Sequence, residues 1–378
     1  MRAAQPGGHV IRTTVLHAVA DDDRLIEVAP VIAALERRGC FRQIAVHAGT
    51  RPGFEHEHPT ELTCDHRWLG VGGATHAERT AAMLTAFESV LFEEQPDLVL
   101  VAGDDDAALA AALAAAKLAI AVAHLGAGMR SWDWTLPEEI NRSVIDRLSD
   151  TLFTYFAEAD ANLEQEGIPV GRIHAVGNTR IDVLRRYEAV ASRRAAWAAF
   201  DAHRQAYTLV ALRRSEGLRQ SGGVERLASG LEGLSADGQV LLLNHAATRE
   251  ELGSERATAL LSAAGVRCIG PLGYLDTLSL LAGARAIVTD AAPVQEEASA
   301  LGVPCFTLLA ATASTITLTH GTNVLLGDDP SALAAVRPPM WDPTPAAIPL
   351  WDGRAAERVA DALVANYTLA TAQAGDRR

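Results

Sequence analysis

Lysine is almost absent from this chain. All but one of its 33 basic residues are arginines, and the exception is Lys117. Lys117 lies beside the apolar run 118–122, and no glycine-rich loop precedes it. Enzymes that form a Schiff base through lysine, and proteins whose P-loop lysine holds a phosphate, are nearly excluded, because only Lys117 could serve in either.

Cysteine is also scarce, and no two cysteines form a Cys-x-x-Cys pair. This spacing gives neither a disulfide framework nor a zinc knuckle, so we expect a protein of the reduced cytoplasm. The longest apolar stretch, residues 107–122, is mostly alanine and too weakly apolar for a membrane-spanning helix. The four cysteines are Cys40, Cys64, Cys268 and Cys305.

Positive charge is in deficit. The chain carries 47 acidic and 33 basic residues, a net charge of -14. Such a field repels phosphate backbones and anionic membranes, so we expect no nucleic-acid partner and no membrane partner. Apolar residues, in contrast, are abundant. They make up 49% of the 378 residues, which is enough for the cores of two domains.

Short apolar runs alternate with longer segments of helical periodicity in both halves of the chain. This alternation predicts an α/β protein with two Rossmann-like, doubly wound domains. We place a flexible tail at residues 1–10, the first domain at 11–182, the second at 183–366 with a closing C-terminal helix, and a tail at 367–378. The predicted strands are 13–19, 44–47, 98–101, 119–124 and 152–155, then 208–212, 240–244, 267–269, 286–289 and 305–309.

Three aspartates follow the first predicted strand, and three more follow the strand at 98–101. Ligands of open parallel sheets bind outside the carboxyl ends of the strands, where the strand order reverses. If both triplets face one crevice, their mutual repulsion favours a bound cation. The two triplets are Asp21, Asp22 and Asp23, and Asp104, Asp105 and Asp106.

Helix capping is the alternative role for most of these aspartates. Asp22, Asp23, Asp105 and Asp106 precede helical segments, where carboxylates accept hydrogen bonds from free N–H groups. Asp104 differs because it directly follows a glycine at a strand end, and it is our first candidate for an acid or base.

The loop after residues 119–124 carries two large rings and a second candidate carboxylate. Thr135 and Glu138 have the spacing of a capping box, which explains Glu138 structurally, although an acid or base role is compatible with its place at a helix start. Trp132 and Trp134 are expected either to stack on a sugar or base or to close the loop.

Metal-capable side chains concentrate in residues 54–58. His56 and His58 have a spacing that suits a transition metal if the backbone is extended, and a solvated loop explains them equally well. Asp22 and Asp104 are the other candidate metal ligands. His124, at the end of an apolar strand, is expected to be a hydrogen-bonded core residue.

In the second half, two arginines follow the strand at 208–212. Arg213 and Arg214 are candidates for a phosphate or carboxylate clamp, with an exposed surface position as the alternative. The strand-to-helix junction at 290–298 could bind an anion, but Pro293 removes one donor and no glycine allows close approach.

Taken in order, several segments resemble the non-hydrolysing UDP-N-acetylglucosamine 2-epimerase family across about residues 12–366. The resemblance implies two Rossmann-like domains facing a cleft, the glycosyltransferase B arrangement. Family members hold the diphosphate of the substrate between the domains, remove the proton at C2, eliminate UDP and add it back to the other face. The segments are 97–106 (DLVLVAGDDD), 124–130 with 137–142 (PEEINR), 176–182 (VGNTRID) and 290–304, followed by 320–323 (HGTN).

The chain departs from the family pattern at several functional positions. The family's GTRPE and a following lysine correspond to residues 20–24 and Glu27, so both phosphate-holding cations are replaced by carboxylates. The catalytic glutamate of its HVEAG corresponds to Gly126, the histidine of GHRRES to Leu212, and the phosphate turn DSGG to residues 290–293. The positions that match are Asp104, Glu138, His245 and, in the helix that touches the nucleoside in the family, Gln295, Glu296 and Glu297.

These departures predict a sugar-processing enzyme that has diverged from standard epimerisation. The expected reaction is glycosyl transfer or C–O bond cleavage on an amine-bearing or metal-bound sugar, with Asp104 or Glu138 as acid or base. An authentic epimerase with rearranged contacts and a catalytically silent ligand-binding homologue are the alternatives. No cofactor is strictly required; a divalent cation and a nucleotide-sugar donor are the candidates, and the family suggests a homodimer. The expected substrate-binding residues are Asp21, Asp22, Asp23, Trp132, Trp134, Arg213, Arg214, His245 and Glu296.

Overall fold

Two parallel β-sheets, one in each half of the chain, organise the molecule. The computed structural model describes residues 12–49, 63–73, 75–214, 216–245, 248–338 and 347–368. The strands of the first sheet are β1 (Thr13–Val19), β2 (Phe41–His47), β3 (Asp65–Trp68), β4 (Leu98–Ala102), β5 (Ala121–Leu125), β6 (Thr151–Thr154) and β7 (Ile173–Ala175). Those of the second are β8 (Tyr207–Ala211), β9 (Gln239–Leu243), β10 (Val266–Ile269), β11 (Ala286–Thr289), β12 (Cys305–Thr307) and β13 (Asn323–Leu325).

Helices connect the strands. Those of the first half are α1 (Asp22–Arg38), α2 (His76–Glu94), α3 (Asp106–Lys117), α4 (Pro137–Leu148), α5 (Ala157–Gln165) and α6 (Thr179–Arg194). Those of the second are α7 (Glu216–Arg219), α8 (Gly223–Ala236), α9 (Arg249–Leu252), α10 (Glu255–Ala263), α11 (Tyr274–Gly283), α12 (Ala292–Leu301), α13 (Ile316–Thr319) and α14 (Ala355–Leu363). Within the described ranges, every helix is too short or too polar to cross a lipid bilayer.

Both sheets have the strand order of doubly wound folds. In the described part of the chain, the first runs β3-β2-β1-β4-β5-β6-β7 and the second β10-β9-β8-β11-β12-β13. The order reverses beside β1 in one sheet and beside β8 in the other, so the expected ligand edges are the carboxyl ends of β1 and β4 and of β8 and β11. The predicted pair of Rossmann-like domains is confirmed.

Continuous apolar strands explain why the sheets are parallel and buried. All side chains of β4 and β8 are buried, as expected for strands covered by helices on both faces. Three strands were not predicted. The edge strand β3 has the polar sequence Asp-His-Arg-Trp, and β7 and β13 have three residues each, so none of them gives a strong apolar signal.

The last helix packs against the first half of the chain. Val359 and Leu363 of α14 are fully buried in one apolar cluster with Ile32 and Leu35 of α1. This differs from the predicted domain limits, which placed residues 355–366 in the second domain. Helix propensity and amphipathicity gave the helix, but neither specifies which sheet its apolar face covers.

Candidate active site

The two aspartate triplets meet at the carboxyl ends of β1 and β4. Asp21 caps α1 by accepting a hydrogen bond from the backbone N–H of Arg24 at 3.0 Å. Asp105 caps α3 by accepting from the N–H groups of Ala107 and Ala108 at 3.0 and 2.9 Å. Capping is therefore the correct explanation for Asp105, whereas at α1 the capping residue is Asp21 rather than Asp22 or Asp23.

A guanidinium of the chain itself lies between the triplets. Arg24 Nη2 is 2.7 Å from Asp104 Oδ1, Arg24 Nε is 3.1 Å from Asp105 Oδ2, and Arg24 Nη1 is 3.2 Å from Glu27 Oε1. Gly103 makes room for it, since a Cβ at this position would lie 2.2 Å from Arg24 Cζ. Asp21, Asp23 and Asp104 thus line one crevice, and Arg24 supplies a positive charge there. Asp106 lies apart from it and pairs with Arg79 at 3.3 Å.

Asp104 is held as a carboxylate by two arginines. Besides Arg24, Arg142 of α4 places Nη2 3.4 Å from Asp104 Oδ2. Burial alone would raise the pKa of Asp104, but attraction to Arg142 and Arg24 outweighs it and keeps the pKa below its ordinary value. Asp104 is therefore suited to act as an electrostatic partner, because its lowered pKa makes it a weak base and leaves it without a proton to donate.

Glu138 begins α4 with a free carboxylate oxygen. Its Oε2 is buried and has no hydrogen-bond partner among the described residues. The predicted capping box is wrong, because the cap position is Leu136 and Thr135 is engaged elsewhere. The carboxylate of Asp133 accepts from the Thr135 N–H at 3.0 Å and its hydroxyl at 2.6 Å.

The neighbouring Glu139 is a structural residue that sequence reasoning missed. Its carboxylate is fully buried and accepts from the N–H and hydroxyl of Ser131 at 2.9 and 2.8 Å and from the N–H of Trp132 at 3.0 Å. Glu139 thus fixes the loop before α4. Of the two adjacent glutamates, Glu139 anchors the loop, and Glu138 has an unpaired carboxylate oxygen in the wall of the cleft.

The two tryptophans of this loop are exposed and line none of the three cavities described below. Trp132 and Trp134 are 54% and 57% exposed. Trp132 adopts a left-handed backbone conformation, φ 61°, which the anchoring by Glu139 stabilises. The structure therefore does not bring either ring to the predicted substrate-binding position.

His124 lies beneath the site, within the core. Its Nδ1 is 2.7 Å from Asp146 Oδ1 and its Nε2 is 2.9 Å from the carbonyl oxygen of Gly103. Asp146 also pairs with the buried Arg130 at 2.8 Å and accepts from the N–H of Gly128 at 3.1 Å. The prediction of a hydrogen-bonded core histidine is confirmed, and the network supports the loop of Gly126.

In the second half, Arg213 and Arg214 follow β8 as predicted, and they differ in their partners. Their backbone N–H groups donate to the Asp290 carboxylate at 2.7 and 2.9 Å. The Arg213 side chain pairs with Asp23 across the cleft. The guanidinium of Arg214 forms no hydrogen bond or ion pair with the residues the structure describes, and it lines two cavities.

Glu296 and Arg180 occupy the floor of the cleft. Glu296 accepts from Asn178 Nδ2 at 2.7 Å and from Ser314 Oγ at 2.9 Å, and burial followed by repulsion from Glu27 raises its pKa from 4.5 to about 7. Arg180 is a buried residue that sequence reasoning missed. Its guanidinium lies 3.1 Å from Glu27 and 3.3 Å from Glu297, so it joins α1 to α12.

Three cavities meet along this edge. The cleft cavity, of about 290 Å³, contains Asp21, Asp104, Glu138, Arg214 and Glu296 in its wall. The inner cavity, of about 240 Å³, is lined mostly by residues of the second half, among them Asn244, His245, Leu272 and Tyr274. The outer cavity, of about 530 Å³, shares Glu138, Arg214 and Asp290 with the cleft cavity. His245 is thus in a cavity next to the cleft.

The predicted metal ligands divide into those the structure describes and those it does not. His56, His58 and the side chain of Asp22 lie outside the described residues. Within the described ranges, no group of three or more His, Cys, Asp or Glu side chains is arranged to hold a metal ion. A divalent cation at this edge stays a prediction, and it would share the crevice with Arg24.

Comparison with known proteins relates this site to one family. The family model described as UDP-N-acetylglucosamine 2-epimerase matches residues 33–364. The UDP-N-acetylglucosamine 2-epimerase of Methanocaldococcus jannaschii is 37% identical over 322 residues, 82% of this chain and 87% of the relative. The UDP-2,3-diacetamido-2,3-dideoxy-D-glucuronate 2-epimerase of Pseudomonas aeruginosa is 35% identical over 262 residues, 68% of this chain and 72% of the relative.

A solved structure agrees over nearly the whole length. The crystal structure of the M. jannaschii UDP-GlcNAc 2-epimerase in complex with UDP-GlcNAc and UDP superposes with a TM-score of 0.77 and 32% identity, covering 94% of this chain and 99% of that one. A sucrose-phosphate synthase, at 16% identity and a TM-score of 0.57, shares the fold alone. The chain belongs to the UDP-N-acetylglucosamine 2-epimerase family.

Proposed function

We propose that the protein is a sugar-nucleotide 2-epimerase that acts on a UDP-N-acetylhexosamine in the cleft between the two sheets. The observation that carries this is the buried, unpaired oxygen of Glu138 in the wall of a cavity that also contains the ionised Asp104 and the unpaired Arg214. A general base needs a free acceptor near the reacting carbon, and a departing diphosphate needs a cation.

The relatives favour epimerisation over the glycosyl transfer that sequence reasoning placed first. Both curated relatives described above, each matching more than two thirds of this chain, carry 2-epimerase names. The replaced family positions therefore support rearranged contacts more than a change of reaction. The authentic epimerase, held above as the alternative, becomes the main proposal.

In this proposal Glu138 accepts the proton from C2 of the sugar. The C–H electron pair forms a C1–C2 double bond, and the C1–O bond breaks so that UDP departs with its electrons. Arg214 stabilises the charge on the departing diphosphate through charge-assisted hydrogen bonds. UDP then adds back to C1 while the electrons of the C1–C2 double bond take up a proton from solvent water on the opposite face of C2, which inverts that centre. The proton held by Glu138 returns to solvent, so no net proton is consumed.

The phosphates are proposed to lie against the second half of the chain. The cleft cavity is lined by seven carboxylates and four guanidiniums. Arg24 is already paired with two of those carboxylates, Glu27 and Asp104, and with the neighbouring Asp105. A phosphate at the first βα turn would meet repulsion from this group. Arg214, and Arg213 once it is released from Asp23, are the cations that remain for the diphosphate.

The test is proton exchange at C2 in heavy water. UDP-N-acetylglucosamine is incubated with the enzyme in D2O and followed by proton NMR. We expect the C2 epimer to accumulate and deuterium to appear at C2 of both sugars. Release of UDP without deuterium at C2, or saturable binding without any product, would contradict the proposal; the latter would indicate a silent ligand-binding homologue.

Glycosyl transfer remains the second candidate because a large cavity adjoins the reacting position. The outer cavity shares Glu138 and Arg214 with the cleft and is large enough for a second sugar. Adding an aminosugar acceptor to the NMR experiment distinguishes the two reactions, because transfer releases UDP and forms a disaccharide without labelling C2. The same assay with EDTA and with added magnesium tests the predicted divalent cation, and light scattering tests the predicted homodimer.

A further inference from the structure

One ion pair separates the cleft cavity from the inner cavity. Asp23 lies in the first turn of α1, and Arg213 follows β8, so the pair joins the two halves of the chain across the cleft. One carboxylate oxygen of Asp23 contacts Arg213 Nη1, and the other lies 3.2 Å from Nη2. Both side chains line both cavities. A ligand that extends from one cavity into the other therefore meets this pair.

The carboxylate occupies the donors that a phosphate would use. A guanidinium binds carboxylates and phosphates with the same fork of N–H groups. Asp23 engages two of these nitrogens, so Arg213 cannot offer the same pair of donors to a ligand at the same time.

The backbones on both sides of the pair are fixed, so opening must come from the side chains. The N–H of Arg213 donates to Asp290 at 2.7 Å, and the carbonyl oxygen of Asp23 accepts from Arg180 at 2.9 Å. The two side chains are 27% and 26% exposed. A change of rotamer is therefore enough to exchange the partner of Arg213.

We propose that Asp23 is an internal competitor for Arg213 that a nucleoside diphosphate must displace, and that it thereby limits how much more tightly the site binds a diphosphate than a nucleoside. This inference rests on the proposed function, because it places the nucleoside in the inner cavity and the sugar in the cleft cavity. Uridine alone fills the inner cavity without disturbing the pair. The diphosphate of UDP is a stronger acceptor than the carboxylate and replaces Asp23 as the partner of the Arg213 guanidinium.

The test is the affinity for UDP and for uridine, measured by titration calorimetry. Asp23→Asn removes the competing charge and leaves Arg213 in place, so we expect UDP to bind about tenfold more tightly, the worth of one charge-assisted hydrogen bond, with uridine unchanged. In the Arg213→Gln background the same substitution is expected to give no gain. Asp276→Asn is the matched control, because it breaks an Arg–Asp pair of 3.0 Å with Arg194 on the surface and changes the net charge equally.

Several outcomes would overturn the inference. They are an unchanged or weaker affinity of Asp23→Asn for UDP, an equal gain for uridine, an equal gain in Asp276→Asn, and the absence of UDP binding to both the wild type and the variant. Thermal unfolding checks that the variants are folded. If Asp23→Asn does not fold, Asp23→Ser takes its place in the same titrations. A wild type that binds UDP but exchanges no proton at C2 would contradict the proposed function and leave this inference intact.

Discussion

At the scale of single residues, neighbouring side chains of one type have different roles because their hydrogen-bond partners differ. Glu138 and Glu139 are adjacent in the chain, but Glu139 accepts three hydrogen bonds from the preceding loop while one oxygen of Glu138 accepts none. Arg213 and Arg214 differ in the same way, because the Arg213 side chain pairs with Asp23 and the Arg214 guanidinium has no such partner among the described residues. The sequence identified both arginines and Glu138 as candidates, but it could not rank them.

Substituting the two glutamates is expected to separate activity from stability. Glu138→Gln removes a general base, so we expect kcat for C2 exchange to fall by about 10² to 10⁴ with little change in the free energy of unfolding. Glu139→Gln disturbs a buried acceptor of four hydrogen bonds, three from the loop and one from Arg142, and is expected to cost about 1–3 kcal/mol of stability. Exchange kinetics and urea unfolding measure the two effects. Full activity of Glu138→Gln would contradict its assignment.

Glu296 is expected to make stability depend on pH. Its pKa is about 7 in the folded protein against an ordinary 4.5, because burial and Glu27 disfavour the charge. Between pH 4.5 and 7, folded Glu296 keeps a proton that the unfolded chain has lost. The contribution of this proton to the free energy of unfolding is therefore fully present below pH 4.5 and is lost as the pH rises through 7.

Glu296→Gln is therefore expected to lose less stability than the wild type between about pH 5 and 8, by up to about 3 kcal/mol. Urea unfolding at the two pH values measures the difference. Glu188→Gln, whose side chain is 40% exposed on α6, is the control and should match the wild type. Parallel pH dependences for all three proteins would show that Glu296 is ionised in the fold.

At the scale of the elements, the positions of strands were predictable and their side-chain partners were not. The apolar runs gave β1 and β4 to within a residue or two, and the doubly wound order then brought the aspartate triplets together. No local pattern could place Arg24 between them, because its partners Asp104 and Asp105 are 80 and 81 positions away in the sequence. The capping box failed for a local reason, since Asp133 competes for Thr135.

A side chain at Gly103, in the turn between β4 and α3, is expected to displace the guanidinium of Arg24. Gly103→Ala would combine a left-handed backbone, φ 73°, with a Cβ 2.2 Å from the Arg24 guanidinium. Gly39→Ala has a similar φ of 68° but open space around the Cβ. The strain of a left-handed backbone is about 1–2 kcal/mol in both.

We expect Gly103→Ala to lose more stability than Gly39→Ala and to lose activity as well, because Arg24 must leave its three carboxylates. Urea unfolding and C2 exchange of the two variants measure this. Equal destabilisation with full activity in both would mean that Arg24 does not hold Asp104 in place.

At the scale of the whole molecule, the chain crosses between its halves twice. It leaves the first sheet through α6, whose Arg180 joins α1 to α12, and it returns through α14, which covers α1. The ion pairs of Arg38 with Glu357 at 2.8 Å and with Asp361 at 2.5 Å border this contact. The sequence predicted the two domains, but the return of the last helix depends on a tertiary contact with no local signature.

Leu363→Ala is expected to destabilise the first half of the molecule. Leu363 is fully buried in the cluster with Ile32 and Leu35, and a buried leucine replaced by alanine costs about 2–5 kcal/mol. Hydrogen exchange should therefore rise in β1 and α1 and stay unchanged in β8 and β9. Phe92→Ala, at a side chain 62% exposed, is the control and should have no such effect. Faster exchange confined to the second sheet would contradict the packing of α14.

The place of α14 has a consequence for synthesis on the ribosome. Domains usually fold in the order in which they emerge, the amino-terminal one first. Here residues 355–363 cover Ile32 and Leu35 of the first domain. The core of this domain therefore stays incomplete until nearly all of the second domain has been translated. A ribosome stalled before residue 355 would expose a half-covered apolar face, a natural binding site for chaperones.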